Sequence, residues 1–202
     1  VQHIVTPGTT IMTCNIVKDL DALPFPYRKT GGYRLSARRD LFRPPFATVV
    51  ASRGCPYTCP FCMSGLLRKG HYHRRSLSNI TEEIVRLQSQ HNVRTVVFYD
   101  DTFFPSSNSL SADVQSVVQS FERLTEIYWE IEMRPDILIA LEPHLAKQLF
   151  YVGCRQINVG IEKGWNKGRQ TIGKSVASEE IRTAIEKIRE SVPLMRLTGT
   201  FI

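Results

Sequence analysis

The sequence predicts an α/β fold in which parallel strands are joined through helices. From residue 46 onward, short apolar and β-branched segments alternate with segments in which apolar residues recur every three or four positions. The first pattern is typical of buried strands and the second of amphipathic helices. Strands that alternate with helices pair in parallel through right-handed crossovers. The pattern therefore fits either an open doubly wound sheet or part of a (β/α) barrel.

Five strands and four helices are predicted. The strands are expected at residues 46–51, 93–99, 127–133, 156–161 and 194–202, and the helices at about 78–90, 110–124, 143–152 and from 178 onward. Pro143 suits the first turn of the third helix, where its missing N–H costs nothing, and Gly153 is placed to end that helix. The third strand is the least apolar of the five because Glu130 and Glu132 interrupt it.

Residues 1–45 differ in composition from the rest of the chain. They are rich in proline and glycine from residue 24 onward, which disfavours regular structure. We interpret this stretch as a lead-in that wraps the domain, with one short extended piece near residues 10–15. Because the chain does not begin with Met, we expect it to be a piece of a longer protein.

The overall composition is that of an ordinary globular protein, with 42% hydrophobic and 22% charged residues. No apolar stretch approaches the roughly 20 residues of a membrane-spanning helix, and no secretory signal is visible. A cytoplasmic location is expected. The net charge of +7 permits nucleic-acid binding or an anionic substrate, but we interpret the excess charge as a solvated face with a basic lead-in.

Three of the five cysteines, Cys55, Cys59 and Cys62, lie within eight positions, which is a poor framework for disulfides. In a reducing compartment such a group predicts a metal-binding or catalytic site. The other two, Cys14 and Cys154, are isolated, and Cys154 is expected to be a small buried hydrophobic residue.

The segment SRGCPYTCPFC follows directly after the first predicted strand. Three thiolates at this spacing can hold three irons of a four-iron four-sulfur cluster and leave the fourth iron open. Ferredoxins that only carry electrons use four cysteines. A zinc site completed by His71 or His73 remains an alternative on spacing alone.

Polar residues stand at the ends of the other predicted strands. Asp100 and Asp101 follow the second strand, Arg134 and Asp136 the third and Glu162 the fourth. In both candidate architectures the active residues gather at the carboxyl ends of the strands. The sequence therefore predicts one site at one face of the sheet.

Five segments occur in the order SRGCPYTCPFC, HYHRRS, VVFYDDTFF, EMRPD and INVGIEKG, and together they resemble radical S-adenosylmethionine enzymes. The preceding DLDALPFP resembles the stretch that follows the cobalamin-binding domain in the cobalamin-binding subgroup. The resemblance covers residues 17–202. It implies a partial (β/α) barrel of the radical S-adenosylmethionine type, truncated after about five of six parallel strands. Residues 46–202 would then be a core that is incomplete at its carboxyl end, and residues 1–45 would follow a missing upstream domain.

The resemblance also implies the cofactors. Cys55, Cys59 and Cys62 would bind a four-iron four-sulfur cluster, and S-adenosylmethionine would chelate the open iron through its amino and carboxylate groups. An electron, supplied by a low-potential donor such as flavodoxin or ferredoxin, would cleave the sulfonium to methionine and a 5′-deoxyadenosyl radical. Cobalamin would be bound by a domain absent from this chain, since no D-x-H-x-x-G motif is present.

The resemblance assigns roles to further residues. Phe61, just before the third cysteine, would pack near the adenine. Asp100 or Asp101 would bind the methionine amine, in place of a Gly-Gly-Glu-like segment. Glu162 would touch the ribose or the methionine. Arg134 would pair with the methionine carboxylate, a charge-assisted contact that suits arginine.

Simpler interpretations of the same residues stay open. The two aspartates could instead cap the loop after the strand. The alternative for Arg134 is an ion pair with Glu130 or Glu132, and the alternative for Glu162 is a solvated loop residue. Lys163 departs from the subgroup, whose members have a small hydroxyl residue at this position.

Three functions are weighed. The first is radical S-adenosylmethionine chemistry, as cobalamin-assisted methylation or rearrangement of a small molecule. The second is a radical methylthiotransferase or tRNA-modifying enzyme, which the positive charge favours and the DLDALPFP and DDTF segments disfavour. The third is a non-enzymatic zinc or electron-transfer module. The fragment alone is expected to be incomplete as an enzyme, and its sequence does not identify the substrate.

Overall fold

A computed structural model describes residues 17–28, 43–64, 70–165, 167–168 and 176–201. Its centre is a parallel sheet of five strands: β1 (Phe46–Val49), β4 (Thr95–Phe98), β5 (Tyr128–Met133), β6 (Cys154–Glu162) and β7 (Arg196–Phe201). Two further short strands, β2 (Ser52–Gly54) and β3 (Tyr72–Arg74), form an antiparallel pair beside it. The five predicted parallel strands are thereby confirmed.

The order of the strands distinguishes the two candidate architectures. Within the sheet the order is β1-β4-β5-β6-β7. Leaving aside β2 and β3, which form the separate pair, each strand pairs in parallel with the next strand of this sheet along the chain. A doubly wound sheet reverses direction at a switch point, whereas a (β/α) barrel keeps consecutive strands adjacent. The sheet is therefore part of a barrel.

Among the helices whose full bounds lie within the described ranges, four agree with the predicted positions and one is additional. They are α1 (Leu77–His91), α2 (Leu110–Phe121), α3 (Pro135–Ala140), α4 (Pro143–Tyr151) and α5 (Ser178–Ser191). Helix α1 begins after Ser76, whose Oγ accepts a hydrogen bond from the Asn79 N–H at 3.1 Å. The short helix α3 was not predicted, because six residues carry too little periodicity to be recognised.

Gly153 ends the turn after α4 as expected. Its φ is +104°, and its N–H donates to the carbonyl of Phe150. A Cβ at this position would lie 2.2 Å from the carbonyl oxygen of Ile127. Only glycine fits both the backbone conformation and the close approach.

The hydrophobic core lies between the sheet and the helices. Trp129 of β5 is buried at its centre, where its ring packs against Phe98, Phe103 and Phe121. Its indole N–H donates to the Val152 carbonyl at 2.8 Å, so its polar atom is satisfied.

Glu130 and Glu132 lie on the face of β5 opposite Trp129, because side chains alternate along a strand. Their neighbours across the parallel register are Gln156 and Asn158 of β6. Asn158 donates to Glu132 at 3.1 Å, and Gln156 donates to Asn158 at 2.7 Å. The carboxylates that interrupt the third predicted strand therefore belong to a polar barrel interior.

Of the predicted lead-in, the structure describes residues 17–28 and 43–45, and residues 17–28 contact the domain. Asp21 accepts from the Ser76 N–H at 2.9 Å, and Arg28 donates to the Thr48 carbonyl of β1 at 2.6 Å. The extended piece expected near residues 10–15 lies outside the described residues, as does Cys14. Within the described ranges, no helix combines the length and apolarity needed to cross a membrane.

Candidate active site

The sequence-predicted site residues follow the carboxyl ends of neighbouring strands. The cysteine loop comes after β1 and β2, the two aspartates after β4, Arg134 after β5 and Glu162 at the end of β6. Since these strands are parallel neighbours, their carboxyl ends meet at one edge of the sheet. The fold thus gathers the polar strand ends at one face.

The antiparallel pair of β2 and β3 closes the base of the cysteine loop. Ser52 lies opposite Arg74, and Gly54 lies opposite Tyr72. The loop between the two strands starts with Gly54 at a φ of +86°, a conformation that favours glycine. This pair was not predicted, because its strands have only three residues each and are separated by the cysteine segment.

Cys55, Cys59 and Cys62 are partly buried free thiols within this loop. A turn links two of them, since the Cys62 N–H donates to the Cys59 carbonyl at 3.0 Å. Burial raises the pKa of the Cys55 thiol, while a hydrogen bond from the Tyr57 backbone and the charge of Arg134 act in the opposite direction. Cys154 is fully buried at the other end of β6, as expected of a small core residue.

The cysteine loop carries three free thiols, which is the number of protein ligands that a four-iron cluster with one open iron needs. No group of three His, Cys, Asp or Glu side chains in the described ranges could hold one metal ion. In a four-iron cluster each thiolate binds a different iron, so the three sulfurs surround a larger centre than the ligands of one ion do. Three accessible thiols on one loop suit that arrangement. His71 and His73 stack on each other with ring centroids 6.5 Å apart.

Arg134 lies against the cysteine loop. Its Nη1 donates to the Cys59 Sγ at 3.2 Å, and its guanidinium stacks on the Tyr57 ring at 3.6 Å. Its Nε donates to Asp136 Oδ1 at 2.9 Å, and the Tyr57 hydroxyl donates to Asp136 Oδ2 at 3.1 Å. Four side chains therefore form one closed network.

The ion-pair partner of Arg134 differs from the expected one. The sequence suggested Glu130 or Glu132, but these carboxylates face the barrel interior and Arg134 pairs with Asp136. Arg134 precedes helix α3 directly, and Asp136 lies in its first turn, so the two are local neighbours. The unpredicted helix is what places Asp136 within reach.

The two aspartates after β4 have different environments. Asp100 is buried and accepts from the Ala51 N–H at 3.2 Å and from the Ser52 hydroxyl. Burial raises its pKa to about 6, although the hydrogen bonds from Ser52 and Ala51 act in the opposite direction. Asp101 is exposed and accepts from the Ser64 hydroxyl at 2.6 Å. Asp100 thus holds the strand β2 in place, whereas Asp101 is accessible beside the cysteine loop.

Glu162 has an unusual backbone conformation for its residue type. Its φ is +66°, and the pairing of β6 with β7 shifts register between Gly160 and Glu162. Such conformations are costly outside glycine and cluster at functional sites. Burial raises the pKa of Glu132, and the charges of Glu130 and Glu162 add to this shift.

Sequence reasoning identified Phe61 as a site residue but missed Tyr57. Phe61 stands in the loop with 38% of its surface exposed, where a ligand ring can reach it. Tyr57 and Ser64 were not singled out by sequence reasoning, although Tyr57 stacks on Arg134 and Ser64 donates to Asp101. Their partners are far along the chain, so no local pattern marks them.

Several known proteins are similar to this chain. An uncharacterised methyltransferase of Pyrococcus horikoshii is 25% identical over 146 residues, which are 72% of this chain and 30% of that protein. The ribosomal protein methylthiotransferase RimO of a Thermotoga species is 27% identical over 178 residues, which are 83% of this chain and 39% of RimO. The chain therefore spans less than two fifths of the length of these curated relatives.

A solved structure shares the fold. The cobalamin-dependent S-adenosylmethionine radical enzyme OxsB, with aqua-cobalamin and S-adenosylmethionine bound, superposes with a TM-score of 0.64 at 18% identity. The superposition covers 77% of this chain and 23% of OxsB. The sequence model of the Radical SAM superfamily matches residues 49–201. Since this match spans well over half of the 202 residues, the chain belongs to the Radical SAM superfamily.

Proposed function

We propose that Cys55, Cys59 and Cys62 hold three irons of a four-iron four-sulfur cluster, and that S-adenosylmethionine binds the fourth iron. The observation that carries the proposal is the set of three free, partly buried thiols on one loop in a member of the superfamily. When bound, the cluster supplies the electron that cleaves S-adenosylmethionine to methionine and a 5′-deoxyadenosyl radical. A low-potential flavodoxin or ferredoxin is the proposed donor of that electron.

The remaining site residues are proposed to hold S-adenosylmethionine. Asp101 suits the methionine amine because its carboxylate is exposed beside the loop, whereas the Asp100 carboxylate is buried and already accepts hydrogen bonds from β2 and its flank. Phe61 is exposed enough to pack on the adenine. The strained backbone of Glu162 directs a carboxylate to the ribose or the methionine. For the methionine carboxylate, Arg134 has its Nη2 left, because Nε and Nη1 bind Asp136 and Cys59.

The proposed overall reaction is cobalamin-assisted methylation or rearrangement of a small molecule. Two similarities support it: the fold shared with OxsB, which binds cobalamin and S-adenosylmethionine, and the sequence relation to the Pyrococcus methyltransferase. Cobalamin would be held by a part of the protein outside this chain.

Anaerobic reconstitution with iron and sulfide tests the cluster, with iron and sulfide counted per chain. We expect about four of each in the parent protein, and a loss of cluster absorbance in Cys55→Ala, Cys59→Ala and Cys62→Ala. Cys154→Ala is the matched control, because Cys154 lies at the opposite end of β6. Stoichiometric zinc instead of iron in the parent would contradict the proposal.

A radical methylthiotransferase, or a related tRNA-modifying enzyme, is a second candidate function. The relation to RimO supports it, as does the net charge of +7. The two functions differ in the group transferred. With S-adenosylmethionine and a reductant, mass spectrometry would show a methyl group on a small molecule in the first case. In the second case a methylthio group would appear on RNA or ribosomal protein.

A further inference from the structure

We propose that Arg134 sets the reduction potential of the cluster by donating a hydrogen bond to the thiolate of Cys59. The inference deepens the proposed function and rests on Cys59 being a cluster ligand. In this role Arg134 acts through the reduction potential of the cluster, in addition to any contact with S-adenosylmethionine.

The contact itself is direct. Arg134 Nη1 lies 3.2 Å from Cys59 Sγ, within hydrogen-bonding distance for sulfur. A guanidinium is a permanent cation with donors only, so the sulfur is the acceptor and gains most from the contact as a thiolate. The bond is therefore of the charge-assisted kind.

Two neighbours fix the position of the guanidinium. Asp136 accepts from Nε at 2.9 Å on one edge, and the Tyr57 ring covers one face at 3.6 Å. Tyr57 also donates to the free oxygen of Asp136 at 3.1 Å, which ties the carboxylate in turn. Tyr57 stands between Cys55 and Cys59 in the sequence, so the network joins the cysteine loop to the start of helix α3.

The direction of the effect follows from charge. A reduced cluster carries one more negative charge than an oxidised one, and hydrogen bonds to the sulfurs and net charge both tune its potential. A cation and an N–H donor at Cys59 stabilise the reduced form and so raise the potential. The side chain of Arg134 is 15% exposed, so water screens this charge only weakly. Asp136 carries the opposite charge in the same network and lowers the potential.

The test is a redox titration of the reconstituted protein, followed by the EPR signal of the reduced cluster. Arg134→Met is expected to shift the reduction equilibrium about tenfold towards the oxidised cluster, which is about 59 mV for one electron. Asp136→Asn keeps the shape but removes the negative charge, and we expect a shift in the opposite direction. Tyr57→Phe keeps the ring on Arg134 and should change the potential less than either.

Arg155→Met is the matched control. Arg155 also stacks on aromatic rings, at 4.0 Å from Phe150 and 4.4 Å from Tyr128, but it lies near the amino end of β6. The parent potential is expected in this variant. This control separates the effect of losing an arginine that packs on an aromatic ring from the effect of losing the cation at Cys59.

The outcomes separate this inference from the proposed function. A parent protein that binds no cluster would overturn both. A complete cluster in Arg134→Met with the parent potential would overturn this inference alone, as would shifts of Arg134→Met and Asp136→Asn in the same direction, because a loosened loop moves both alike. If Arg134→Met assembles no cluster, Arg134→Lys replaces it. Lysine keeps the charge but not the planar donor set. A potential of Arg134→Lys that is higher than that of the parent, between the values of the parent and Asp136→Asn, would overturn the inference.

Discussion

Asp100 shows how opposing effects decide the protonation of one residue. Its carboxylate accepts hydrogen bonds from Ala51 and Ser52, and such bonds stabilise the charged form. Burial disfavours the charged form and is the larger effect, so the pKa rises to about 6 from a usual value of 3.8. Near neutral pH, keeping the charged Asp100 carboxylate buried beside β2 therefore destabilises the folded protein.

This destabilisation predicts a pH dependence of stability. Between pH 4 and 6 the folded protein keeps the Asp100 proton while the unfolded chain has lost it, so the contribution of Asp100 to stability is complete below about pH 4 and is lost as the pH rises through 6. The loss is up to about 3 kcal/mol, from about 1.4 kcal/mol for each pKa unit. Urea unfolding at a series of pH values measures it. The difference between the parent and Asp100→Asn should follow this curve, and a difference that does not vary with pH would contradict the assignment.

The lead-in is fastened to the domain by a buried carboxylate of helix α1. Glu83 accepts from Arg28 of the lead-in at 3.3 Å and from Arg75 at 2.6 Å. Phe25 adds cation–π contacts with Arg75 and Arg86. One helix residue thus joins the lead-in to the segment that follows β3.

We expect Glu83→Ala to destabilise the protein by about 2 to 3 kcal/mol. Removing one partner of a buried pair is costly, but both arginines keep backbone carbonyl partners, which limits the loss. Glu82→Ala is the matched control: it removes the exposed ion pair with Arg86, so a change below about 1 kcal/mol is expected. Chemical denaturation measures both variants. Equal effects would show that the burial of Glu83 does not contribute.

At the scale of elements, the sequence predicted what repeats along the chain. The five parallel strands and the helices that alternate with them follow from apolar periodicity, which local residues determine. Strands β2 and β3 and helix α3 were missed because three or six residues are too few to repeat an apolar pattern. Their formation depends on tertiary contacts, such as the bond between Asp100 and Ser52 across 48 positions.

For the whole molecule, the residue types at the site were predictable and their partners were not. The cysteine spacing and the acidic strand ends stand in the sequence as motifs. The network of Arg134 with Tyr57, Cys59 and Asp136 does not, since it joins segments about 75 residues apart. Strand order, which only the structure provides, decided between a barrel and a doubly wound sheet.

The central claim for the whole molecule is that one iron of a cluster at the cysteine loop is open to S-adenosylmethionine. The measurement that tests it most directly is EPR of the reconstituted, dithionite-reduced protein, recorded with and without S-adenosylmethionine. We predict a four-iron cluster signal that changes when S-adenosylmethionine is added, and a reduced change in Asp101→Asn. A cluster signal that is identical with and without S-adenosylmethionine would contradict the claim, because it would show that the cluster has no iron available to that ligand.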